Sequence, residues 1–305
     1  MKENKELMNV GKATEKMSVE RFDSPLQLIC GDTRKVLTEF PSDSFQCCIT
    51  SPPYWGLRDY ENNGQIGAEN NVDDYVDDLA AVFREVRRTL REDGTLWLNI
   101  GDSYTSGNRT WRDADSKNKG RAMSYRPPTP NGLKPKDLVG VPWRVAFALQ
   151  ADGWYLRSDI IWHKPNCQPE SVKDRPTRSH EYIFLFSKSK DYYYDHSAIQ
   201  ETSVTNGAPK NKRTVWSAST EESVWAINTE PFNGAHFAVF PKALVKPCIL
   251  AGTRKGDLVL DPFLGSGTTA EIALEYGRKC VGIELKAEYI ELSKKRTSQF
   301  GLDLK

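Results

Sequence analysis

The sequence predicts a doubly wound α/β fold with a mostly parallel sheet, and three observations support this prediction. Short apolar runs of strand length alternate with amphipathic stretches of helical length along the 305 residues. Two runs are followed directly by Gly-Asp, at Gly31-Asp32 and Gly101-Asp102, as at the ligand-binding edge of a parallel sheet. Near the C-terminus, a glycine-rich turn joins a further run to a helix. The length allows one large α/β domain or two smaller ones.

The spacing of apolar residues predicts the individual elements. Strands are predicted at Leu26–Cys30, Phe45–Thr50, Thr95–Ile100, Tyr155–Trp162, Tyr182–Phe186, Asp257–Leu260 and Cys280–Ile283. Helices are predicted at Arg34–Phe40, Asp73–Arg91, Leu138–Leu149, Thr268–Tyr276 and Ala287–Gln299, and another follows Pro241 through Leu250. The helix over 73–91 has a continuous apolar face, and Asp93-Gly94 is expected to close it.

Composition and charge exclude several classes of protein. Apolar residues make up 38% of the chain and the formal net charge is +1, so the chain can form a core and is no polycation. The six cysteines form no CxxC pair and no metal-ligand spacing, which predicts buried free thiols and no metal. No run reaches the about 18 apolar residues of a membrane span. A soluble, cytoplasmic protein is expected, with residues 1–23 as a flexible polar arm.

The segment Asp261-Pro-Phe-Leu-Gly-Ser-Gly-Thr-Thr269 predicts a ligand-binding turn. Gly265 and Gly267 allow the backbone to approach a ligand at the carboxyl end of a strand. A P-loop is disfavoured because no lysine follows Gly267, and Ala270 stands where a dinucleotide fingerprint has its third glycine. Glu284 ends the next strand, where a carboxylate suits ribose hydroxyls. These residues favour S-adenosylmethionine over NAD or ATP, with a purely structural glycine turn as the alternative.

Two motifs together resemble a known enzyme family. Residues 50–55 read Thr-Ser-Pro-Pro-Tyr-Trp and precede the glycine-rich motif at 261–269. This pair resembles the amino-methyltransferases of DNA, in the β-group order that places the catalytic motif first. The resemblance covers about residues 24–298. It implies a Rossmann-like class I methyltransferase fold with a circularly permuted motif order, S-adenosylmethionine as cofactor and double-stranded DNA as substrate.

The order of the elements is consistent with such a permutation. After Glu284 only one helix remains, so the cofactor-binding half of the sheet has two strands of its own. Leu26–Cys30, followed by Asp32, is the natural third strand and would bring the two ends of the chain to one site. The alternative is that Gly31-Asp32 is an ordinary turn.

The resemblance implies a set of cofactor-binding residues. Asp32 is expected to face the adenine amino group, Asp261 is a candidate for the ammonium group, and His236–Pro241 is expected to pack against the methionine end. Plain core packing is the alternative for that last segment. The full set is Asp32, Thr50, Phe237, Phe240, Pro241, Asp261, Pro262, Phe263, Gly265, Ser266, Gly267, Thr268, Thr269, Glu284 and Leu285.

The corner formed by Ser51, Pro52, Pro53 and Tyr54 is expected to carry the chemistry. The lone pair of an exocyclic amine is delocalised into the base, and oxygens that accept the amine protons make it available. A proline-stiffened turn fixes the Ser51 hydroxyl and the Pro52 carbonyl as two such acceptors. The base must be flipped out of the duplex, and Tyr54 is then expected to stack on it. In isolation, the stretch would be a stiff turn with packing aromatics.

The first residue of this corner bears on the substrate. In the family that it resembles, Asp is mostly found in adenine-N6 enzymes and Ser is more typical of cytosine-N4 enzymes. Ser51 therefore favours cytosine N4, with adenine N6 as the alternative. Cytosine C5 is disfavoured because Pro247-Cys248 lies in an apolar, helix-like stretch. A catalytically silent DNA-binding protein and an RNA methyltransferase are the alternatives of other classes.

Two long polar stretches are expected to contact DNA. Residues 104–136 contain eight Lys or Arg against two acids, which favours phosphate contacts, with a solvated loop as the alternative. Residues 188–235 occupy the family's target-recognition position. The DNA-binding candidates are Trp55, Arg109, Arg112, Lys117, Lys119, Arg121, Arg126, His163, Lys164, Lys210, Lys212 and Arg213. Core packing is the alternative for Trp55, and Asp102 is a further candidate site residue.

The predicted organisation joins these parts in one methyltransferase domain. A flexible arm over 1–23 precedes a catalytic half over 24–187, which includes the basic loop 104–136. A small target-recognition region over 188–235 then leads to the S-adenosylmethionine-binding half over 236–305. A homodimer is left open. Any restriction endonuclease is expected to be a separate chain, because nothing in the sequence resembles a nuclease.

Overall fold

The computed structural model describes residues 22–57, 65–106, 127–167, 169–203, 205–216 and 240–300. The strands are β1 Leu26–Cys30, β2 Phe45–Thr50, β3 Leu90–Ile100, β4 Tyr155–His163, β5 His180–Ser187, β6 Glu201–Thr202, β7 Pro209–Lys210, β8 Val215–Trp216, β9 Leu258–Asp261 and β10 Lys279–Glu284. The helices are α1 Thr33–Val36, α2 Val72–Thr89, α3 Val141–Ala151, α4 Lys242–Gly252, α5 Thr268–Glu275 and α6 Ala287–Thr297.

Within the described residues, eight strands form one sheet in the order β1-β10-β9-β2-β3-β5-β4-β8. Only β5 runs antiparallel to its neighbours, and every other neighbouring pair is parallel. β1 pairs with β10 from Leu26 beside Cys280 to Cys30 beside Glu284. The first strand of the chain therefore completes the cofactor half, and the predicted mostly parallel, permuted sheet is confirmed.

Helices cover both faces of the sheet and bury two cores. Successive strand residues point to opposite faces, so Cys48 packs in the core with α2 and α3, whereas Cys47 packs in the core with α4 and α5. Cys248 and Cys280 are also buried free thiols, whereas Cys30 is exposed. A helical layer on each face confirms the doubly wound arrangement.

The boundary between α2 and β3 differs from the prediction. α2 ends at Thr89, and β3 begins at once with Leu90, which pairs with Phe45 of β2. The fully buried Leu90 is drawn into the sheet, and this packing outweighs the stop signal of Asp93-Gly94. Those two residues therefore lie inside β3 and do not close the helix.

Asp102 explains why α3 begins later than predicted. Its Oδ1 accepts hydrogen bonds from the N–H groups of Gly140 and Val141, both at 2.9 Å, at the start of α3. Leu138, the predicted first helical residue, instead forms a bridge with Tyr104. Asp102 therefore serves as a helix cap, and the cavity described below is not lined by it.

Two further observations concern the outer parts of the described chain. Val215–Trp216, from the predicted recognition region, adds β8 to the main sheet beside β4. Among the described residues, no helix is long and apolar enough to cross a membrane.

Candidate active site

The carboxyl ends of the parallel strands β1, β10, β9, β2 and β3 meet at one sheet edge, beside a cavity of about 240 Å³. The catalytic corner and the glycine loop both line this cavity. The predicted residues in its lining are Asp32, Ser51, Pro52, Pro53, Tyr54, Lys164, Phe240, Asp261, Pro262, Phe263, Gly265, Ser266, Thr268, Thr269, Glu284 and Leu285. Thr50, Pro241 and Gly267 lie behind the lining.

The glycine loop between β9 and α5 opens onto this cavity. Gly265 and Gly267 have φ angles of +56° and +85°, in the left-handed region that favours glycine. A Cβ on Gly267 would lie 2.7 Å from Ser293 Oγ of α6, so this glycine allows the helix to pack. A Cβ on Gly265 would meet no atom within 4 Å. Gly265 therefore presents open backbone to the cavity.

Asp261 is a buried carboxyl group, 3% exposed, at the end of β9. Its Oδ1 accepts hydrogen bonds from Thr50 Oγ1 at 2.7 Å and from the Phe263 N–H at 3.1 Å. Burial raises the pKa of Asp261 to about 6, against the opposing effect of its hydrogen bonds. Because Thr50 is the last residue of β2, this bond ties the catalytic corner to the glycine loop.

Glu284 shapes the glycine loop from the neighbouring strand. Its Oε2 accepts from the Gly265 N–H and its Oε1 accepts from the Lys286 N–H, both at 2.9 Å. Burial raises the pKa of Glu284, and the backbone hydrogen bonds oppose this rise. Contact of this carboxyl with ribose hydroxyls stays a prediction.

Asp32 follows β1 and begins α1 as its N-cap. Its carboxylate accepts from the Arg34 N–H at 3.0 Å and binds the Arg34 guanidinium through both oxygens. The hydrogen bond from this side chain lowers the pKa of Asp32. An adenine amino group at Asp32 would therefore share the carboxylate with Arg34, which also lines the cavity.

These residues fit an adenosine ligand that carries a positive charge. The cavity combines open backbone at Gly265, the buried carboxyl of Asp261 and a further carboxyl at Glu284. Apolar and aromatic surface for an adenine ring comes from Phe240, Pro262, Phe263, Leu285, Tyr289 and Leu292.

The catalytic corner leaves β2 at Ser51 and is held by contacts to α2 and to the segment before it. The Tyr75 hydroxyl donates to the Pro53 carbonyl at 2.8 Å, and the Gly56 N–H donates to the Gly67 carbonyl at 2.9 Å. Because Tyr75 uses the carbonyl of Pro53, this tie does not involve the Pro52 carbonyl, the predicted amine acceptor.

Ser51 begins a cluster of polar side chains on the other wall of the cavity. Its Oγ lies 3.3 Å from Asn99 Oδ1 and 3.4 Å from Tyr54 Oη. The Tyr54 hydroxyl is 2.8 Å from Glu181 Oε2, and Lys164 donates to the other oxygen of Glu181. The corner is thus connected to an ion pair that joins β5 to the end of β4.

The charges in this cluster follow from its burial and pairing. Burial alone would raise the pKa of Glu181, but the Lys164 ammonium and the hydrogen bonds from Lys164, Tyr54 and Asn99 together lower it. Burial raises the pKa of Tyr54 well above its ordinary value. Lys164 Nζ also lies 4.0 Å from the centroid of the Trp162 ring. At neutral pH the cluster therefore contains a carboxylate, an ammonium and a neutral phenol.

Gly101, at the end of β3, explains how Tyr54 fits against the sheet. A Cβ on Gly101 would lie 2.6 Å from Tyr54 Cε2, so only glycine lets the ring approach the backbone this closely. Stacking of Tyr54 on a flipped base stays a prediction.

Two predicted DNA-binding residues are buried. Trp55 is 5% exposed and its indole N–H donates to the Glu69 carbonyl at 2.9 Å, so the core-packing alternative describes it. The Lys212 side chain is 2% exposed and lies 3.1 Å from the Glu201 carboxylate. The DNA contact predicted for Lys212 is wrong for this structure, because its ammonium is buried against an acid.

The other DNA-binding candidates occupy different places. Lys164 belongs to the cavity wall, and His163 pairs with His180 across β4 and β5. Arg213 is half-exposed and lies 3.7 Å from Glu201, and Lys210 is in β7. Phe237 and the basic residues Arg109, Arg112, Lys117, Lys119, Arg121 and Arg126 lie outside the described residues.

The sequence-based reasoning missed Glu181, Asn99 and Arg34 as cavity residues. Glu181 directly precedes the apolar run of β5, which was predicted only as a strand. Because β5 is antiparallel to β3, its first residues reach the sheet edge at which β3 ends. An antiparallel assignment of this one strand would have identified Glu181.

The comparison with known families agrees with this geometry. The sequence model of the family described as DNA methylase matches residues 45–295, from the start of β2 into α6. The chain belongs to the DNA methylase family. It is an S-adenosylmethionine-dependent DNA methyltransferase of the N4/N6 type, so the predicted family and cofactor are confirmed.

The methylase is similar to curated proteins over most of its length. It is 66% identical over 271 residues to the Type II methyltransferase M.SmaI of Serratia marcescens, covering 88% of this chain and 90% of that protein. It is 53% identical over 292 residues to the Type II methyltransferase M.Cfr9I of Citrobacter freundii, covering 93% and 94%.

Solved structures share the fold of the methylase. The PvuII DNA methyltransferase, named cytosine-N4-specific, has a TM-score of 0.64 at 22% identity, covering 90% of this chain and 89% of that one. The DNA modification methylase TTHA0409 from Thermus thermophilus, complexed with S-adenosyl-L-methionine, has a TM-score of 0.59 at 26% identity, covering 90% and 93%.

Proposed function

We propose that this methylase transfers a methyl group to the exocyclic N4 of cytosine in a short duplex sequence. The observation that carries the proposal is Ser51, a neutral hydroxyl residue at the first position of the catalytic corner. Its Oγ lies within reach of Asn99 and Tyr54, which can both accept its proton. The Ser51 lone pairs are then available to accept a proton from an amine in the cavity.

The residues of the cavity divide the reaction between them. Bound S-adenosylmethionine supplies an electrophilic methyl group. Ser51 and the Pro52 carbonyl accept the two amine protons and thereby free the nitrogen lone pair. Asp261, buried beneath the glycine loop, offers a carboxylate to the cofactor's ammonium group. The Thr50–Asp261 hydrogen bond keeps these two sets of groups in a fixed relation, which favours in-line approach of the reacting atoms.

The target cytosine reaches Ser51 by leaving the duplex. A base inside the helix cannot place its amine in a cavity that lies behind the sheet edge, so base flipping belongs to this proposal. The basic residues between 107 and 126 and the segment 188–235 are proposed to bind the phosphates and read the sequence. A Type II methyltransferase protects DNA against a restriction endonuclease, which we place on a separate chain in the cytoplasm of the same cell.

The proposal is tested by the methylated nucleosides of a host that expresses the protein. The gene is introduced into bacteria without their own DNA methyltransferases, and the DNA is digested to nucleosides and analysed by mass spectrometry. We expect N4-methyldeoxycytidine with the wild type and none with Ser51→Ala. N6-methyldeoxyadenosine alone would overturn the cytosine proposal. Methylome sequencing of the same DNA then gives the recognition sequence.

A further inference from the structure

An ion pair at the cavity wall calls for an explanation beyond folding. The side chains of Glu181 and Lys164 are 16% and 18% exposed. Removing two charges from water is costly, and an apolar pair of similar volume often stabilises a fold as well or better. β4 and β5 are already paired along their length, from Tyr155 beside Ser187 to His163 beside His180. The ion pair is therefore better explained by the chemistry of the cavity than by strand pairing.

Hydrogen bonds from Ser51 lead to this pair by two routes. The first route passes through the Tyr54 hydroxyl, 3.4 Å from Ser51 Oγ and 2.8 Å from Glu181 Oε2. The second passes through Asn99, whose Oδ1 is 3.3 Å from Ser51 Oγ and whose Nδ2 is 3.3 Å from the same Glu181 oxygen. Along both routes the donors point toward Glu181. The Ser51 lone pairs are consequently left for the cavity.

The charge on Glu181 suits the course of methyl transfer. The bond between the methyl carbon and the donor sulfur breaks as the carbon–N4 bond forms, so positive charge moves onto the amine. An Asp at the corner would face that charge directly, whereas Ser51 is neutral. Glu181 places a full negative charge behind the Tyr54 hydroxyl, and hydrogen-bond chains in a site with little water polarise one another.

We infer that Glu181, paired with Lys164, is a positioning residue that orients and polarises the Ser51 hydroxyl through Tyr54 and Asn99. The inference rests on the proposed function, because it requires a target amine at Ser51. It assigns to this methylase a buried anion that the neutral corner lacks, contributed by a strand outside both family motifs.

Two variants separate the charge of Glu181 from its packing. Glu181→Gln keeps the shape but leaves the Lys164 ammonium without a counter-charge, so we expect lower stability and slower methyl transfer. Combining it with Lys164→Met removes both charges, so we expect the free energy of unfolding to recover. The single-turnover rate of the double variant should stay about 30-fold or more below wild type, as for the loss of a preorganised polar group. Its affinities for DNA and cofactor should remain within about threefold of wild type.

A matched control breaks another Lys–carboxylate pair in the same sheet. Asp43 lies 2.7 Å from Lys188 at the amino end of β2, the opposite edge from Ser51. Asp43 has φ +56°, which asparagine tolerates, so Asp43→Asn removes one charge with little backbone strain. Its methyl-transfer rate should equal that of the wild type.

Recovery of rate together with stability in the double variant would overturn the inference, because the pair would then act only in folding. A wild-type rate in Glu181→Gln would overturn it as well. Nucleosides from the wild-type reaction are identified in parallel. A wild type that methylates adenine instead contradicts the cytosine proposal, and the Glu181 variants are then judged by their rates on that product.

Discussion

The two walls of the cavity bury their carboxyl groups in opposite ways. On the cofactor wall, Asp261 and Glu284 accept hydrogen bonds from hydroxyl and backbone N–H groups, and burial raises both pKa values. On the catalytic wall, Lys164 keeps the pKa of Glu181 lowered although burial opposes it. The cofactor wall thus leaves room for a cationic ligand to complete it. The catalytic wall contains its own cation and is charged before any ligand binds.

The largest expected effect is on the catalytic wall. Ser51→Ala removes one amine acceptor, so turnover should fall about 100-fold or more, as for the loss of a preorganised polar group. The affinity for S-adenosylmethionine, measured by calorimetry, should hardly change. Ser44→Ala just before the other end of β2, where the Ser44 hydroxyl bonds only to nearby backbone carbonyls, is the control and should keep full turnover. Equal activity in Ser51→Ala would contradict the role of this hydroxyl.

The second effect belongs to the cofactor wall. Gly265→Val places a branched side chain in the open space at the cavity wall, so cofactor affinity should fall at least about 30-fold through steric exclusion. Gly256→Val is a close control, because Gly256 also has a positive φ of +85° and a Cβ there would meet no atom within 4 Å, but it lies outside the cavity lining. Both variants should lose similar stability. Retained cofactor binding in Gly265→Val would remove the glycine loop from the site.

The third prediction uses the raised pKa of Asp261. A folded-state pKa of about 6, above the ordinary 3.8, means that this group stabilises the fold below its ordinary pKa and that this contribution is lost as pH rises through 6. Asp261→Asn should therefore raise the free energy of unfolding at pH 7.5 by about 2 kcal/mol, and by less at pH 5. Urea unfolding of the cofactor-free protein at both pH values measures this difference.

Cofactor binding should show the complementary pH dependence. If Asp261 meets the ammonium group as a carboxylate, the affinity of the wild type for S-adenosylmethionine should weaken as pH falls below about 6. Asp261→Asn should bind more weakly at pH 7.5 and lose this dependence. A wild-type affinity that is flat between pH 5 and pH 7.5 would contradict the ammonium contact.

The smallest expected effect comes from Tyr54→Phe on the catalytic wall. This change removes the hydroxyl between Ser51 and Glu181 but keeps the ring, and Asn99 still accepts from Ser51. Turnover should fall only about 3- to 10-fold, a loss comparable to one hydrogen bond of two. A loss as large as that of Ser51→Ala would mean that the Tyr54 route alone carries the coupling.

The cofactor wall could be predicted from the sequence because its parts are local. The glycine loop, Asp261 and Glu284 lie within one strand–helix–strand unit, and the permutation requires only that β1 joins β10. The Glu181 cluster could not be predicted in the same way. It depends on β5 running antiparallel between β3 and β4, and the apolar run Tyr182–Phe186 does not encode that direction.

Burial also separates residues that look alike in the sequence. The residue types of Lys212 and Trp55 predict DNA contacts, but Glu201 pairs with the first and the core contains the second. Lys164 is predicted to line the DNA channel and instead forms the cation of the catalytic wall. Charge and aromatic character alone do not decide whether a side chain faces a ligand, a counter-charge or the core.

The most direct test of cytosine-N4 methylation follows the methyl group itself in a purified reaction. Unmethylated duplex DNA is incubated with the protein and S-adenosylmethionine that carries a deuterated methyl group, and the digested nucleosides are separated by mass. The proposal predicts the label on N4 of deoxycytidine. Label found only on N6 of deoxyadenosine would contradict it.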